Sequence, residues 1–327
     1  MTALRLPPRL SRLILATALI LTGIVTGTGA SSAKPLDVVA STSMIGDAAR
    51  QVAGDRATVT TLMGPGIDPH SYRQTRSDIA AMARADLVLW HGLYLEAQLE
   101  EFFMDLGKRR KVVAVGEAVP VENLLSHADY QGRYDPHVWM NPELWSHVVN
   151  AVRDALIEAD PDGADLYTAN AKRHLAELDD LSAYAKKVLA SIPETSRVLL
   201  TAHDAFNYFG RAYDFDVEGI QGISTVSEAG LRRIEELVDM IVNRKIAAAF
   251  VESSVSDRNI RALIEGANAR GQAVSIGGTL YSDAMGDPGT YEGTYIGMID
   301  HNVTVITRAL GGTAPATGMQ GKLAPGL

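Results

Sequence analysis

The chain has 327 residues, 46% apolar and 21% charged, a balance ordinary for a globular protein and sufficient for one large or two medium-sized domains. Its net charge of −9 does not suit binding to nucleic acid or to anionic lipid. The absence of cysteine excludes disulfides, and it restricts any metal site to His, Asp and Glu ligands rather than thiolates.

The N-terminus, residues 1–33, has the pattern of a cleavable secretory signal. Three Arg precede the apolar run Leu13–Val25, and small residues follow it. The run is too short for a membrane span, and the alternative is an uncleaved anchor. We expect a mature chain that begins near Lys34 and has a net charge of −12, because the signal contains three Arg and no acidic residue. Without an N-terminal Cys to carry a lipid, we expect it to be soluble in the periplasm.

Strand and helix patterns alternate through the first half of the mature chain. β-Branched runs predict strands, and apolar residues at helical spacing predict helices. We interpret residues 36–163 as an N-terminal α/β lobe. The predicted strands are 36–41, 57–63, 86–90 and 111–115, and the predicted helices are 44–52, 76–83, 95–106 and 142–159.

A long helical segment follows, from Ala164 to Ile192. Leu and Val recur along it at helical spacing, and neither Gly nor Pro interrupts it before Pro193. It is the only obvious connection between the two halves of the chain, so we predict a backbone helix that links them.

The second half repeats the alternation, and we interpret residues 196–310 as a C-terminal α/β lobe. Two blocks of alternating strands and helices predict two lobes, each with a parallel sheet flanked by helices. The tail, 311–327, is rich in Gly, Pro, Ala and Thr and is predicted to be disordered. The predicted strands are 197–204, 215–223, 246–254 and 272–278, and the predicted helices are 228–243, 257–269 and 294–310.

Four side chains able to bind a metal lie in loops beside these elements, two in each half of the chain. In open α/β sheets ligands bind beyond the carboxyl ends of the strands, so one cleft between the lobes can bring such loops together. Their separations of 67, 66 and 80 residues match no short motif, so spacing alone is weak evidence. The four are His70, His137, His203 and Asp283.

The tripeptide Asp-Pro-His occurs twice, at 68–70 and 135–137. Pro fixes its own φ and restricts the residue before it, so each imidazole extends from a stiff backbone. Asp68 and Asp135 are short acceptors for loop amides or for the rings. Three neutral imidazoles and one carboxylate suit a borderline divalent cation and close a tetrahedral shell. Taken singly, each feature has an ordinary explanation: a hydrogen-bonded His, a turn or a helix cap.

Longer motifs carry a resemblance to a known family. Over roughly residues 38–310 the chain resembles the metal-binding subunits of bacterial ABC importers, the TroA-like family for zinc, manganese and iron. This resemblance implies that His70, His137, His203 and Asp283 are the metal ligands. It also implies a metal site in the cleft between two lobes, one rigid connecting helix and only modest closure on binding. The motifs are GPGIDPHSY, DPHVWMNPELW, LLTAHDAFNYFGRAY, EGIQGISTVSEAG, FVESS and IGGTLYSDAMGDPGTYEGTYIGMIDHN.

Other residues near these motifs have alternative roles. Glu252 ends a predicted strand, and it is either an acceptor that orients a ligand His or a plain structural hydrogen-bonding group. His91 follows a first-half strand and is expected at the cleft rim, whereas His127 lies in a polar loop where it can catch metal transiently. Trp139 is expected to pack between the lobes rather than to contact metal.

The nitrogen-rich ligand set favours zinc, and the Irving–Williams order predicts that zinc binds more tightly than manganese. We expect both Zn²⁺ and Mn²⁺ to bind, with Fe²⁺ as a further candidate. The chain has no nucleotide-binding G-x-x-x-x-G-K-[ST] motif, so transport would require a membrane permease and a cytoplasmic ATPase as partners. We expect a monomer.

Two other functions compete with the capture of metal for import. A zinc hydrolase would need an open coordination position and a general base, and the sequence contains no H-E-x-x-H motif. A periplasmic metal buffer or an adhesin is the other alternative, which the sequence does not exclude.

Overall fold

The computed structural model describes residues 34–126 and 132–324. The predicted signal at 1–33, His127 and the last three residues lie outside the described part. The described strands are β1 (Leu36–Ala40), β2 (Ala57–Thr61), β3 (Leu87–Trp90), β4 (Val112–Ala114), β5 (Val198–His203), β6 (Asp216–Gln221), β7 (Ala248–Glu252) and β8 (Ser275–Leu280). The described α-helices are α1 (Ser43–Ala53), α2 (Arg76–Arg84), α3 (Glu100–Leu106), α4 (Pro142–Ala159), α5 (Ala164–Leu189), α6 (Asn207–Tyr213), α7 (Leu231–Arg244), α8 (Arg258–Ala269) and α9 (Tyr295–Ala309).

The N-terminal lobe is built on a parallel sheet with the strand order β2-β1-β3-β4. Val38 of β1 lies opposite Val59 on one side and Leu87 on the other. All four residues of β3 are buried, as expected for a parallel strand covered by helices on both faces. The α/β lobe predicted from the alternation of strands and helices is confirmed.

The C-terminal lobe contains two parallel strand pairs, β5 with β6 and β7 with β8. The pairs lie side by side, with β5 next to β7. At the end of β5 the backbone N–H of His203 donates to the Glu252 carboxylate at the end of β7, 2.8 Å away. The Glu252 side chain therefore joins the two strand pairs at the edge of the sheet where the loops with the candidate metal ligands begin.

Helix α5 connects the two lobes and packs against α1 and α4 of the N-terminal lobe and against α9 of the C-terminal lobe. It ends at Leu189, three residues before the predicted end at Ile192. Residues 190–192 turn more tightly, with the Ile192 N–H donating to the Leu189 carbonyl at 3.1 Å. Pro193 explains the early end, because proline disfavours helical geometry in the residue before it.

The lobes also meet through α1. The Ser43 hydroxyl accepts a hydrogen bond from the Met285 N–H at 3.2 Å, and the buried Asp47 carboxylate accepts one from the Tyr295 N–H at 2.9 Å. From Pro35 onward the chain forms one compact unit. Short buried contacts thus fix the C-terminal loop that carries Asp283 against the first helix of the N-terminal lobe.

Residues 311–324, which composition predicts to be disordered, make specific contacts in the structure. The Met319 N–H donates to both oxygens of the buried Asp300, at 2.8 and 2.9 Å, and Leu323 is only 2% exposed. The Thr313 N–H donates to the Ser191 hydroxyl at 2.8 Å. Composition suggested disorder, but a buried carboxylate that requires donors, together with one apolar anchor, holds the segment on α9.

We expect Leu323→Ala to lower the free energy of unfolding by about 2 kcal/mol, because the side chain loses its burial. Leu231→Ala is the matched control, since that leucine is 74% exposed and should change stability by less than about 0.5 kcal/mol. Urea denaturation followed by circular dichroism measures both. Equal effects of the two substitutions would show that the tail does not contribute to stability.

Candidate metal centre

The two Asp-Pro-His loops have the same local hydrogen bond. In each loop the Asp side chain accepts a hydrogen bond from the His backbone N–H two residues later, Asp68 from His70 and Asp135 from His137, both at 2.9 Å. The intervening proline restricts the backbone, so the turn and the ring it carries are fixed before any ligand arrives. The repeated tripeptide is therefore a repeated device for presenting an imidazole.

The other two predicted residues come from the C-terminal lobe. His203 is the last residue of β5, and Asp283 lies three residues beyond the end of β8. Asp283 is placed from two sides: the neighbouring Ser282 carbonyl accepts a hydrogen bond from the Trp139 indole at 2.8 Å, and Ser282 Oγ lies 3.0 Å from Ser254 Oγ.

All four predicted side chains converge on one point between the lobes. One ligand atom from each lies within 4.8 Å of the ligand atoms of the others. Nε2 of His70 is 3.3 Å from Nε2 of His137. The Asp283 carboxylate lies 3.2 Å from His203 Nε2, 3.5 Å from His137 Nε2 and 3.7 Å from His70 Nε2.

This cluster is sealed from solvent and has unmatched polar atoms. The four residues are between 0% and 2% exposed. Nε2 of His203 and both Asp283 oxygens are buried and make no well-aligned hydrogen bond, although the two side chains face each other at 3.2 Å. Buried polar groups without partners are costly, and a bound cation would satisfy all three atoms at once. The donor set of three imidazole nitrogens and a carboxylate fits zinc and comparable divalent metals.

Two carboxylates orient the rings so that Nε2 faces this point. Nδ1 of His137 lies 2.6 Å from Asp135, and Nδ1 of His203 lies 2.5 Å from Glu252. A carboxylate accepts hydrogen bonds, so each Nδ1 carries a proton that it donates, and Nε2 can present its lone pair to a cation. Glu252 also accepts the His203 backbone N–H, which fixes both the ring and the main chain of that residue.

Burial and neighbouring charges shift the pKa values of His203 and Asp283 in opposite directions. Burial lowers the pKa of His70 to about 4, so that ring is neutral at neutral pH. Burial also favours neutral His203, but the carboxylates of Asp283 and Glu252 outweigh it and raise the pKa of His203 well above its usual value. Burial acts to raise the pKa of Asp283, yet the imidazoles, His203 first, hold it well below its usual range. The metal-free centre therefore keeps a proton on His203, which an incoming cation must displace.

Trp139 and Tyr295 support the centre at the lobe interface. The fully buried Trp139 ring packs edge-on against His137, with ring centroids 5.1 Å apart, while its N–H donates to Ser282 in the other lobe. Its carbonyl accepts a hydrogen bond from the Tyr295 hydroxyl at 2.7 Å. The expectation that Trp139 packs between the lobes agrees with this contact. The sequence contains no comparable signal for Tyr295.

His91 supports the second Asp-Pro-His loop from behind, and it does not line the cleft rim. It is 1% exposed, and its Nε2 donates to the Pro136 carbonyl at 2.7 Å. Burial lowers the pKa of His91 to about 3, so the ring stays neutral. Glu96, which sequence reasoning missed, holds the backbone of this segment: its buried carboxylate accepts the N–H groups of His91 and Gly92.

Residues 38–309 match the model of the ZnuA family, described as zinc-uptake complex component A, periplasmic. The chain belongs to this family. It is 46% identical over 302 residues to the manganese-binding lipoprotein MntA of Bacillus subtilis, an alignment that covers 91% of this chain and 98% of MntA.

The zinc-binding protein TroA of Treponema pallidum is equally similar, with 46% identity over 281 residues, 86% of this chain and 90% of TroA. The solved structure of that periplasmic zinc-binding protein superimposes with a TM-score of 0.83 and covers 85% of this chain and 99% of the other. Within the described residues of this ZnuA-family chain, no helix has the length and apolarity needed to cross a membrane.

Proposed function

We propose that this protein captures a divalent transition-metal cation outside the cytoplasm and delivers it to an ABC-type membrane permease. His70, His137, His203 and Asp283 are the proposed ligands, and Asp135 and Glu252 orient two of the rings. The observation that carries the proposal is the convergence of three Nε2 atoms and one buried carboxylate between two lobes. Family membership supports the same function.

The ligand set favours carrying a cation over catalysing a reaction with it. Four protein ligands complete a tetrahedral shell, whereas a hydrolytic zinc centre keeps one position for water and needs a base beside it. The carboxylates nearest the centre are occupied: Asp135 and Glu252 each accept hydrogen bonds from a His side chain and backbone. The charge of one carboxylate only partly neutralises the cation, which is consistent with a cargo that must later be released.

The cargo we propose is Zn²⁺ or Mn²⁺, with zinc the more tightly bound. Three imidazoles suit zinc, and zinc exceeds manganese in the Irving–Williams series. One similar protein is named for manganese and another for zinc, both at 46% identity, so similarity alone does not choose between the metals. Binding of manganese would depend on supply and on both oxygens of Asp283.

The proposed location is the periplasm, after removal of residues 1–33. The absence of cysteine supports a soluble form, in contrast to the relative named a manganese-binding lipoprotein. We propose a soluble monomer whose partners are a permease and a cytoplasmic ATPase.

Metal titration of chelator-treated protein tests this function. We expect about one equivalent of Zn²⁺ and about one of Mn²⁺ to bind at one shared site, with zinc displacing manganese. Calorimetry measures the stoichiometry, and uptake of labelled metal by cells that lack the chromosomal copy measures delivery. A protein without saturable binding of either metal, or hydrolysis of esters or peptides that depends on the bound metal, would contradict the proposal.

A further inference from the structure

A cation bound at this centre has no open path to solvent. Each of the four proposed ligands is at most 2% exposed, so loading and release both require part of the surrounding structure to move. The hydrogen bonds that join the two lobes around the centre differ in burial and in number. The side with the fewest and most solvated bonds is the part that can move most easily.

A small polar pocket of about 210 Å³ lies at the seam between the lobes, with Asp68 on one side and Gln221, Thr225 and Ser254 on the other. Its walls are linked to three of the four ligands. Asp68 holds the His70 backbone, Gln221 pairs with His203 between β5 and β6, and Ser254 contacts Ser282 beside Asp283. The residues that line this pocket therefore adjoin three of the four proposed ligands.

The connection between β6 and α7, residues 222–230, forms one wall of this pocket and is tied at two points. Within the C-terminal lobe, the amide of the buried Gln221 donates to the carbonyls of Thr225 and Ser227, at 3.2 and 3.1 Å. Across the seam, the Thr225 hydroxyl donates to Asp68 Oδ2 at 2.6 Å. Within the described residues, 34–126 and 132–324, this is the one side-chain hydrogen bond that joins residues 222–230 to the N-terminal lobe.

The same Asp68 carboxylate accepts the His70 N–H and the Ser71 hydroxyl, both at 2.9 Å. Thr225 is thereby coupled through one side chain to the loop that carries a proposed ligand. Thr225 and Asp68 are both half-buried, so water can replace their contact when it breaks.

Elsewhere the lobes are joined by deeply buried contacts or by several contacts together. Beside α6, for example, the exposed hydrogen bond from Arg211 to the Asn123 carbonyl is accompanied by hydrogen bonds from Tyr208 and Asn207 to Asp135. The Trp139–Ser282 and Tyr295–Trp139 hydrogen bonds lie at residues that are 0% exposed. A second, larger cavity of about 620 Å³ borders the loop that follows Asp283, but its walls are tied by the Ser43–Met285 and Asp47–Tyr295 bonds. Breaking those bonds would leave buried polar groups without partners, which costs more than opening a solvated contact.

We propose that the cation enters and leaves past the β6–α7 connection, and that the Thr225–Asp68 hydrogen bond sets the rate of release. This inference rests on the proposed metal-binding function. Thr225 is a positioning residue: it does not touch the cation but holds the connection closed over the centre through Asp68.

Rapid mixing of zinc-loaded protein with excess chelator measures the release rate. Thr225→Val removes the hydroxyl at nearly constant shape, and we expect release about tenfold faster. Thr225→Ser is the matched control, because it keeps the hydroxyl and should release zinc within about twofold of the wild-type rate. Equal rates for Val and Ser would overturn the role of this hydrogen bond.

A crosslink across the seam tests the route itself. The chain has no cysteine, so Ile67→Cys with Val226→Cys supplies one reactive pair beside Asp68 and Thr225, at side chains 40% and 58% exposed. Zinc-loaded protein joined by a short bifunctional maleimide should retain zinc against chelator at least about tenfold longer than either single-cysteine variant treated alike. Release from the crosslinked protein at the unmodified rate would overturn the route. Failure of the wild-type protein to bind zinc would instead overturn the proposed function.

Discussion

Replacing Asp283 by Asn should weaken zinc binding by at least about a thousandfold. Asp283 is the carboxylate shared by all three imidazoles, at 3.2 to 3.7 Å, and it supplies the negative charge at a buried point. Removing one charged partner from a buried set costs about 4 kcal/mol, which corresponds to that factor in the dissociation constant. Because Asn keeps the shape of the side chain, the loss of zinc affinity results from the missing negative charge and not from a cavity. Competition against a zinc chelator of known affinity measures the change.

The control is Asp300→Asn, which also neutralises a carboxylate that is 0% exposed. Asp300 accepts hydrogen bonds from Tyr291 and Met319 and is not part of the metal cluster. We expect this variant to unfold at lower denaturant concentration while its zinc affinity stays within about threefold of wild type, because sites without shared partners act independently. If Asp283→Asn bound zinc as tightly as Asp300→Asn, the carboxylate would not be a ligand.

Acidification should release the metal, with zinc affinity falling about tenfold for each pH unit below neutrality. Zinc affinity falls rather than rises on acidification because of His203, whose pKa is raised well above its usual value by Asp283 and Glu252. Its proton is bound in the metal-free protein throughout this range and must leave when the cation binds, so about one proton competes with each cation. Because burial lowers the pKa of His70 to about 4, protonation of that ring adds to the competition only near and below that pH.

Calorimetry in buffers of different ionisation enthalpy measures the number of protons released on zinc binding, and competition titrations from pH 7.5 to 5 measure the slope. Glu252→Gln is the informative variant. It removes one of the two carboxylates that raise the pKa of His203, so it should reduce proton release, and it should also weaken zinc binding by about 10- to 100-fold. Zinc affinity that is constant between pH 7 and 5 would contradict the protonation state inferred for His203.

Much of the local architecture follows from the sequence. The alternation of strands and helices predicts both α/β lobes, because buried parallel strands and amphipathic helices have distinct periodicities. The two Asp-Pro-His turns are likewise local, since the Asp side chain and the proline act on the next two residues. Similarity to a known family, rather than spacing, selected the four proposed ligands from eight histidines and many acids.

The structure differs from the sequence-based expectations where long-range packing outweighs composition. The tail was expected to be disordered because it is rich in Gly, Pro, Ala and Thr, yet Met319 finds a partner on α9 and Leu323 is buried, which a local pattern cannot reveal. His91 was expected near the cleft rim, but its ring is buried behind the loop of His137 and bonded to Pro136. In both cases the deciding partner lies in another part of the chain.

The sequence by itself determined which side chains can bind a metal and how stiffly two of them are held, because these properties depend on residue type and on neighbours within the same turn. Only the tertiary structure decided that atoms from positions 70, 137, 203 and 283 meet within 4.8 Å, that Glu252 turns the His203 ring towards that point, and that Thr225 reaches Asp68 across the seam. The reason is physical: such contacts are set by how strands pack within a lobe and how the two lobes meet, and residues 49 to 157 positions apart leave no periodic trace of that packing in the sequence.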